Sequence, residues 1–351
     1  MKKNSLYKSG IDMILSETLP WQNIAKNRIL ISGATGLIGR VLIDVLMALN
    51  GKMDLGIEVV AIGRDSTKAK EVFNEYLYND LFSFFQHDMN NSMPDIGRFD
   101  YIIHGASQTH PIAYSANPIQ TITTNIFGSF YLLDYASKYQ NSKFVFLSSV
   151  EIYGENRGDV NSFSEDYCGY IDSNTLRAGY PESKRVSESL CQAFMKEKGV
   201  EVYIPRLSRV YGPTMRMDDS KALSQFIKNS LDGKNIVLKS KGDQFYSYIY
   251  VFDAVSAIFH IFLTGQAGEA YNISDSQSNI TLKNLAAIIA KYCNTDVVFD
   301  LPSEDEKLGF SKATIAILNS DKLNNLGWNA KYPIEIGVQN TIKIIREDSY
   351  I

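Results

Sequence analysis

A short apolar run, a glycine-rich turn and an apolar helical pattern follow one another near the start of the chain. The run is RILIS at residues 28–32, and the turn is GATGLIG at residues 33–39. Beyond the turn, apolar residues recur every three or four positions as far as Leu49, the spacing of an amphipathic helix. A GxxGxxG turn between a strand and a helix is typical of dinucleotide-binding folds, because the glycines let the backbone approach a pyrophosphate. The predicted contacts in this turn are Gly33, Gly36, Leu37, Ile38 and Gly39.

Similar apolar runs recur along the first half of the chain, with helical patterns between them. They are EVVAIG (58–63), FFQHD (84–88), YIIHGA (101–106) and KFVFLSS (143–149), and a long helical segment covers residues 118–138. Strands that alternate with helices predict an α/β fold, a Rossmann doubly wound parallel sheet with helices on both faces.

The texture of the sequence changes after about residue 200, where elements are shorter and turns more frequent. We predict an NAD(P)-binding Rossmann domain at residues 28–200 and a smaller α+β domain, mainly for substrate binding, at residues 201–351. Residues 1–27 are predicted to form an amphipathic flank, which would either cover the sheet edge or join a dimer. A terminal helix is predicted near residues 334–347.

Composition excludes several classes of function. The net charge of the 351 residues is −4 and there is no strongly basic block, which disfavours nucleic acid as a partner. The three cysteines are odd in number and widely spaced, so they predict neither disulfides nor a metal site and fit a cytoplasmic protein. No apolar run reaches the ~18 residues that a membrane span needs.

The end of the second strand bears on the choice between NAD and NADP. A carboxylate often stands there to hold the ribose hydroxyls, but this chain has Gly63 followed by Arg64. Arg64 could pair with a ribose 2′-phosphate, which favours NADP slightly, or it could stack on adenine or face solvent. Asp88 is either a contact of the adenine amino group or a helix cap. Met89 and Ala106 are the remaining predicted cofactor contacts.

Three residues in order along the chain are candidates for catalysis. Ser149 ends a predicted strand, and Tyr180 and Lys184 are four residues apart, on one face of a following helix. A free tyrosine has a pKa of ~10, so a nearby ammonium would help it to act as a base. Ser149 would hydrogen-bond the substrate oxygen while Tyr180 takes or gives its proton. The alternative is a packed tyrosine beside a solvated lysine.

Together with these residues, the motifs SSVEIYGE, RAGYPESKRVSE, RLSRVYGP and NLGW resemble the extended short-chain dehydrogenase/reductase superfamily. The resemblance is to its nucleotide-sugar epimerase/dehydratase branch, and residues 165–191 and 206–227 are most similar to UDP-glucuronate decarboxylases. It implies a nucleotide-sugar substrate, a homodimer formed through paired helices, and catalysis by Ser149, Tyr180 and Lys184. Tyr180 would be the acid/base, and Lys184 would hold the nicotinamide ribose.

Departures from the family pattern narrow the reaction. Family dehydratases carry Asp-Glu after the strand-end residue, whereas this chain has Val150-Glu151. Valine cannot protonate a leaving hydroxyl, so 4,6-dehydration is disfavoured. Decarboxylases keep the glutamate, so Glu151 is predicted to be catalytic, with a buried, hydrogen-bonded carboxylate as the alternative.

Three further residues are predicted to contact substrate. Arg177 matches the decarboxylase pattern, but it could also be a surface ion-pair residue. Arg209 stands where the family commonly has asparagine, and Tyr246 where it commonly has arginine. Asn125 matches a family asparagine that is more often structural than catalytic.

The leading hypothesis is an NAD(P)-dependent enzyme that oxidises a ring carbon of a nucleotide-activated sugar, with an epimerase or decarboxylase outcome. An NADPH-dependent keto-sugar reductase and a non-catalytic dinucleotide-binding sensor remain as alternatives.

Overall fold

The computed structural model describes residues 4–107, 117–300 and 314–349. The strands are β1 (Arg28–Ser32), β2 (Glu58–Gly63), β3 (Phe82–Gln86), β4 (Tyr101–His104), β5 (Lys143–Phe146), β6 (Ser148–Ser149), β7 (Glu201–Leu207), β8 (Arg209–Tyr211), β9 (Ile236–Leu238), β10 (Phe245–Tyr250), β11 (Ala270–Ile273), β12 (Asn279–Thr281), β13 (Val297–Phe299) and β14 (Ile315–Ala316). The α-helices are α1 (Ser5–Leu15), α2 (Leu37–Met53), α3 (Ser66–Val72), α4 (Pro118–Ser137), α5 (Gly179–Lys198), α6 (Ala222–Leu231), α7 (Val251–Thr264), α8 (Leu282–Cys293), α9 (Asp321–Asn324) and α10 (Ile334–Ser349).

The larger sheet is parallel, with strand order β11-β7-β5-β4-β1-β2-β3, and β6 pairs with β7 beyond the end of β5. Ile29 of β1 lies opposite Val59 of β2 on one side and Tyr101 of β4 on the other. The strand order reverses beside β1, and ligands of open α/β sheets bind at such a reversal, outside the carboxyl ends of the strands. The predicted Rossmann fold class is confirmed.

Alternate residues of the central strands feed two separate cores. Ile29 and Ile31 of β1 are buried on the face that carries α2, α7 and α1. Leu30, between them, is buried on the opposite face, against the side chains of α4 and α5. Because both faces are covered, the strands read as continuous apolar runs rather than as alternating patterns.

The chain after residue 200 serves both the large sheet and a second, smaller one. Strands β7 and β11 extend the large sheet, although they fall within the predicted second domain, residues 201–351. Strands β8, β10, β12 and β14 form the smaller sheet, in which β10 is antiparallel to β12 and parallel to β8 and β14. The chain therefore crosses between the two sheets more than once after residue 200.

The N-terminal segment lies on the helices of one face, not along the sheet edge. Helix α1 begins at an Asn4 cap and packs between α2 and α7. The Tyr7 ring meets Phe252 at 5.2 Å, and its hydroxyl donates to the buried Asp44 carboxylate at 2.6 Å. Trp21 makes a similar edge contact with Phe259 at 5.2 Å. The flank is thus an integral part of this layer of the fold.

Candidate active site

The glycine turn joins β1 to α2 at the carboxyl edge of the large sheet. Gly33 has φ +71°, and a Cβ there would lie 2.6 Å from the Gly105 carbonyl carbon. A Cβ at Gly39 would lie 2.5 Å from the Gly33 carbonyl oxygen. No side chain of the described residues caps α2 at Gly36, so the first amides of this 17-residue helix face outward. An open helix start beside a tight glycine turn fits the pyrophosphate of a dinucleotide.

The end of β2 carries no carboxylate. Gly63 is its last residue, and Arg64 after it is exposed. The Asp88 carboxylate accepts hydrogen bonds from the Asn90 amide and side chain at 3.0 and 2.9 Å. These bonds, with a smaller contribution from the Arg64 cation, lower the pKa of Asp88. Asp88 therefore closes a turn and caps none of the described helices, and its contact with the adenine amino group stays a prediction.

Two other predicted cofactor contacts lie in different surroundings. The Ala106 amide donates to the Ser32 hydroxyl at 3.3 Å, which places this residue beside the glycine turn. Met89 is buried in the core on the α4 side of the sheet. It packs closely against α4, because a Cβ added at Gly128 would lie 3.2 Å from the Cβ of Met89.

The side chains of Ser149 and Tyr180 come together at the same sheet edge. Ser149 ends β6, and its hydroxyl accepts the Glu151 amide at 3.3 Å. Tyr180 lies in the first turn of α5 and is buried. Burial, and secondarily the negative charge of Glu151, raise the pKa of Tyr180 to about 12, whereas hydrogen bonding by the hydroxyls of Ser149 and Ser107 lowers it. The phenol is therefore protonated at neutral pH.

Lys184 is buried one helical turn after Tyr180 on α5. Its Nζ donates to the Leu147 carbonyl at 2.8 Å and lies 4.5 Å from the centre of the Phe146 ring. Burial lowers the pKa of Lys184 to about 8, partly offset by the Glu188 charge. The predicted pairing of the Lys184 ammonium with the Tyr180 phenol stays a prediction.

Sequence reasoning missed a buried histidine next to these groups. His104 ends β4, and its Nδ1 lies 2.7 Å from the Ser32 hydroxyl. Its Nε2 is buried without a hydrogen-bond partner among the described residues. Burial, reinforced by the Lys184 charge, lowers the pKa of His104 to about 3, so the ring is neutral. The sequence did contain a signal for this residue, because His104 stands at the carboxyl end of a predicted strand, where ligands bind in such sheets. Ser107 follows the same strand three residues later.

The predicted substrate residues gather around Glu151. Arg177 Nη2 lies 3.5 Å from one carboxylate oxygen, and Arg209 Nη2 lies 4.0 Å from the other. The Arg209 guanidinium also stacks 3.6 Å from the centre of the Tyr246 ring, across the β8–β10 pair. Lys221 is close enough for Glu151 to act on its pKa, although burial, the larger effect, lowers it. Lys221 also pairs with Asp219, 3.8 Å away, so three cations share two carboxylates here, and the surplus of positive charge fits an anionic group of a substrate.

Asn125 has a structural role in the residues described. Its side-chain amide donates to the Ser183 hydroxyl at 2.8 Å, and Ser183 in turn donates to the Tyr180 carbonyl at 2.8 Å. This pair ties α4 to the first turn of α5, which carries Tyr180.

In the described parts of the chain, no helix is long and apolar enough to cross a membrane. The same residues contain no group of three or more histidine, cysteine or acidic side chains placed to hold a metal ion.

Two relatives with known names are similar to this chain in sequence over most of its length. The sequence is similar to UDP-glucuronic acid decarboxylase 1 of Xenopus tropicalis, at 30% identity over 329 residues, 92% of this chain and 73% of the relative. It is also 30% identical to UDP-glucuronic acid decarboxylase 3 of Arabidopsis thaliana over 317 residues, 89% of this chain and 86% of the relative.

Solved structures show the same fold. A UDP-glucuronic acid 4-epimerase from Bacillus cereus, in complex with UDP-glucuronic acid and NAD, superimposes with a TM-score of 0.77 and 22% identity over 91% of this chain and 99% of that one. A UDP-glucose 4-epimerase from Thermotoga maritima, with UDP-glucose, gives a TM-score of 0.77 and 24% identity over 92% and 99%.

The profile of a single family covers most of the folded chain. Residues 29–274 match it, from the first residues of β1 to just beyond β11. This range includes the glycine turn, Ser149, Tyr180, Lys184 and the cluster around Glu151. The expected resemblance is confirmed, and the chain belongs to the NAD dependent epimerase/dehydratase family of enzymes.

Proposed function

We propose that this enzyme oxidises a ring carbon of a nucleotide-activated sugar through Ser149, Tyr180 and Lys184, and that the outcome is decarboxylation or epimerisation. The observation that carries the proposal is the meeting of the Ser149 and Tyr180 hydroxyls beside Glu151, at the sheet edge where the glycine turn opens. Relatives that are UDP-glucuronic acid decarboxylases support the same reaction class.

The two hydroxyls divide the work on a substrate alcohol. Ser149 would hydrogen-bond the alcohol oxygen, and Tyr180, as the phenolate left after its own proton has passed to solvent, would accept the alcohol proton. A bound nicotinamide would supply hydride transfer and, when oxidised, a positive charge near the phenol. The high pKa of Tyr180 keeps its proton in place until such a charge is present. Lys184 would position the nicotinamide ribose from its anchor on the Leu147 carbonyl.

The cluster around Glu151 supports an anionic substrate. Arg177 and Arg209 approach the two oxygens of Glu151 from different elements, and a phosphate or a sugar carboxylate could bind to them. The small sheet, which carries Arg209 and Tyr246, would then form the substrate side of the site. Val150 is buried and apolar. Its side chain therefore cannot donate the proton that 4,6-dehydration requires at that position.

A specific feature favours the reductase as the second candidate. The end of β2 has Gly63 and Arg64 in place of a carboxylate, which suits NADP, the usual source of reducing equivalents for keto-sugar reduction. The same family fold would serve, but NADPH would supply the hydride and the sugar would keep it, whereas an epimerase or decarboxylase takes the hydride from the sugar and returns it to the sugar.

Exposed apolar side chains on α4 and α5 support a homodimer. Phe127 and Phe130 on α4 are 44% and 41% exposed, and Val186 on α5 is 42% exposed. These helices pack against each other on one face of the sheet, so their outer surfaces form one continuous area. Light scattering of the purified protein would report a dimer mass; a monomer at micromolar concentration would contradict the proposal.

The reaction is tested with UDP-glucuronate carrying a ¹³C-labelled carboxylate, in the presence of NAD⁺ or NADP⁺. Release of labelled CO₂ identifies a decarboxylase, and an NMR spectrum with an inverted ring carbon identifies an epimerase. Turnover of a keto-sugar nucleotide with NADPH, without turnover of UDP-glucuronate, identifies the reductase. Dinucleotide binding without any turnover would instead support the sensor.

Replacing Tyr180 tests the assignment of the acid/base. Tyr180→Phe should lower kcat by about 10²- to 10⁴-fold, because it removes the proton acceptor and leaves the ring in place. Tyr78→Phe is the matched control, since Tyr78 is 97% exposed, and its kcat should not change. A Tyr180→Phe enzyme with normal kcat would overturn the role of Tyr180.

A further inference from the structure

A buried ion pair joins α5 to β7 beside the candidate active site. Glu188 lies on α5, one helical turn after Lys184, and Arg206 lies on β7. Arg206 Nε donates to Glu188 Oε1 at 3.1 Å and its Nη2 donates to Oε2 at 2.7 Å, so the pair is bidentate. Only 13% of the Arg206 side chain and 12% of the Glu188 side chain are exposed. A bidentate pair shielded from water has a fixed geometry, unlike a solvated surface pair.

The remaining donors of Arg206 also have partners, which fixes the guanidinium further. Its Nη1 donates to the Glu165 carbonyl at 2.6 Å and to the Tyr153 hydroxyl at 2.9 Å. The guanidinium carbon lies 5.2 Å from the centre of the Tyr153 ring. Arg206 is therefore bonded through all three of its nitrogens, and it holds the carboxylate of Glu188 in one position.

The same carboxylate holds Ser148 of β6. The buried Ser148 hydroxyl donates to Glu188 Oε1. In the register of β6 against β7, Ser148 is the residue directly opposite Arg206. Strand β6 is only two residues long, so few backbone bonds of its own keep it in place. The Glu188 carboxylate therefore supplies a side-chain bond that fixes this short strand to α5 and β7.

Ser148 stands between two residues that act on the site. The carbonyl of Leu147, before it, accepts Lys184 Nζ at 2.8 Å. The hydroxyl of Ser149, after it, hydrogen-bonds with Tyr180. Each peptide unit is a rigid plane, so a shift of residue 148 would move both neighbours. Glu188 thus acts on the position of Ser149 and of Lys184 through a single residue.

Glu188 also acts on Lys184 through its charge. Burial lowers the pKa of Lys184 to about 8, and the Glu188 carboxylate offsets part of this change, with a smaller contribution from Cys191. Burial raises the pKa of the Cys191 thiol, so it is neutral at pH 8, and burial lowers the pKa of His104 on β4 to about 3, so that ring is neutral too. Arg206 on β7 is a cation, but it lies beyond Glu188. Among the described residues, Glu188 is therefore the main negative charge acting on Lys184.

We propose that Glu188, held by Arg206, is a positioning residue for the reaction: it fixes Ser148, and with it Ser149 and the anchor of Lys184, and it keeps Lys184 charged. The proposal rests on the proposed function, because Ser149 and Lys184 affect turnover only if they take part in it. The alternative is an ion pair that stabilises the fold and acts on neither residue. Charge and position are tested separately, since one substitution removes each.

The charge is tested by ¹³C NMR of the full-length protein, stripped of cofactor and labelled at the lysine Cε atoms. The Lys184 signal is assigned by its loss in Lys184→Met. In Glu188→Gln, which retains an oxygen for the Ser148 hydroxyl, Lys184 should titrate up to about one pH unit lower than in the wild type. Glu197→Gln is the matched control, because Glu197 is exposed on the same helix, and Lys184 should titrate there as in the wild type. Thermal unfolding verifies that each variant is folded.

The position is tested by Ser148→Ala, which leaves the ion pair intact and so remains informative if Glu188→Gln does not fold. This variant should lower kcat about tenfold or more and change KM little, because the reacting groups are displaced while substrate contacts remain. Ser142→Ala is the matched control. Its hydroxyl is also buried and donates to the Phe99 carbonyl at 2.9 Å, but it precedes β5, at the opposite end from the site. Its kcat should not change.

Each result bears on the proposal. A lower titration of Lys184 in Glu188→Gln, or a kcat that falls in Ser148→Ala and not in Ser142→Ala, supports it. It is overturned if a folded Glu188→Gln leaves the titration of Lys184 unchanged, or if both serine variants lose thermal stability while both keep normal kcat. A wild type that turns over no sugar nucleotide would instead defeat the proposed function. The NMR titration needs no substrate, so it still decides whether Glu188 acts on Lys184, which distinguishes the two failures.

Discussion

The two sides of the candidate site are built in different ways. The cofactor side consists of backbone: glycines whose positions admit no Cβ, and the uncapped start of α2. The substrate side consists of long side chains, with Arg177 and Arg209 reaching Glu151 from separate elements at 3.5 and 4.0 Å. The backbone geometry of the turn tolerates few substitutions. On the substrate side, by contrast, a charged side chain can be replaced by one at a neighbouring position without any strand moving. Reaction and substrate can therefore change on one side while the other stays fixed.

A methyl group added to the glycine turn should produce the largest loss of stability. Gly33→Ala combines a positive φ with a Cβ 2.6 Å from the Gly105 carbonyl, so we expect about 2 to 4 kcal/mol less free energy of unfolding, and no dinucleotide binding. Gly51→Ala, with no atom within 4 Å of its Cβ, should be neutral or slightly stabilising. Urea unfolding of both variants measures the difference; equal stabilities would show that the turn is not rigid.

Lys184 lies between the two sides, and its burial should reduce stability at neutral pH. Its folded pKa of about 8 lies below the ordinary 10.5, a difference that corresponds to about 3 kcal/mol. Below pH 8 the amine is charged in both folded and unfolded states, so the folded state bears the full cost of burying the charge. Between pH 8 and 10.5 the unfolded state binds more protons, and stability rises with pH.

Lys184→Met should consequently raise the free energy of unfolding at pH 7 by up to about 3 kcal/mol and abolish activity. The gain over the wild type should shrink towards pH 10.5. Lys196→Met, on an exposed position of the same helix, should show no such pH dependence. Urea unfolding at pH 7 and pH 10 tests this, and a Lys184→Met protein that is less stable at both pH values would contradict the cost assigned to the buried amine.

The smallest effect on activity is expected on the substrate side, where a cation lost at one position can be replaced by a cation at a neighbouring position. Arg209→Asn should raise KM about tenfold, because one cation leaves the cluster, while kcat changes little. Arg209 stacks on Tyr246, so an arginine at residue 246 would place its guanidinium in the same area. The Arg209→Asn/Tyr246→Arg double variant should therefore recover part of the lost affinity. If the double variant is worse than either single one, the exact position of the guanidinium matters more than its charge.

The same contrast explains what the sequence alone could predict. The bounds of β1 and β2 agree with the predicted strands, since both read as continuous apolar runs ended by glycine or serine. Helix α4 ends one residue before its predicted end and α10 continues two residues beyond it. The glycine turn could be predicted from the sequence equally well, because its function depends on residues that are adjacent in the chain.

Contacts between distant parts of the chain could not be predicted in this way. Strand β11 pairs with β7 through Ala270 and Ile204, and no local pattern states that pairing. The stacking of Arg209 on Tyr246 depends on the register of β8 against β10, in which Tyr248 faces Arg209. Tertiary packing decides each of these cases.

The position of α1 between α2 and α7 also determines when its contacts can form during synthesis of the chain. Helix α1 is synthesised before α2 and α7, and its contact with α2 through Tyr7 and Asp44 becomes available as soon as α2 follows. Its other neighbour, Phe252, follows 245 residues later (252 − 7). At typical translation rates this interval is roughly 10 to 50 seconds. During that time one apolar side of α1 is without its partner, so the nascent chain exposes a surface on which a chaperone can act before α7 closes the layer.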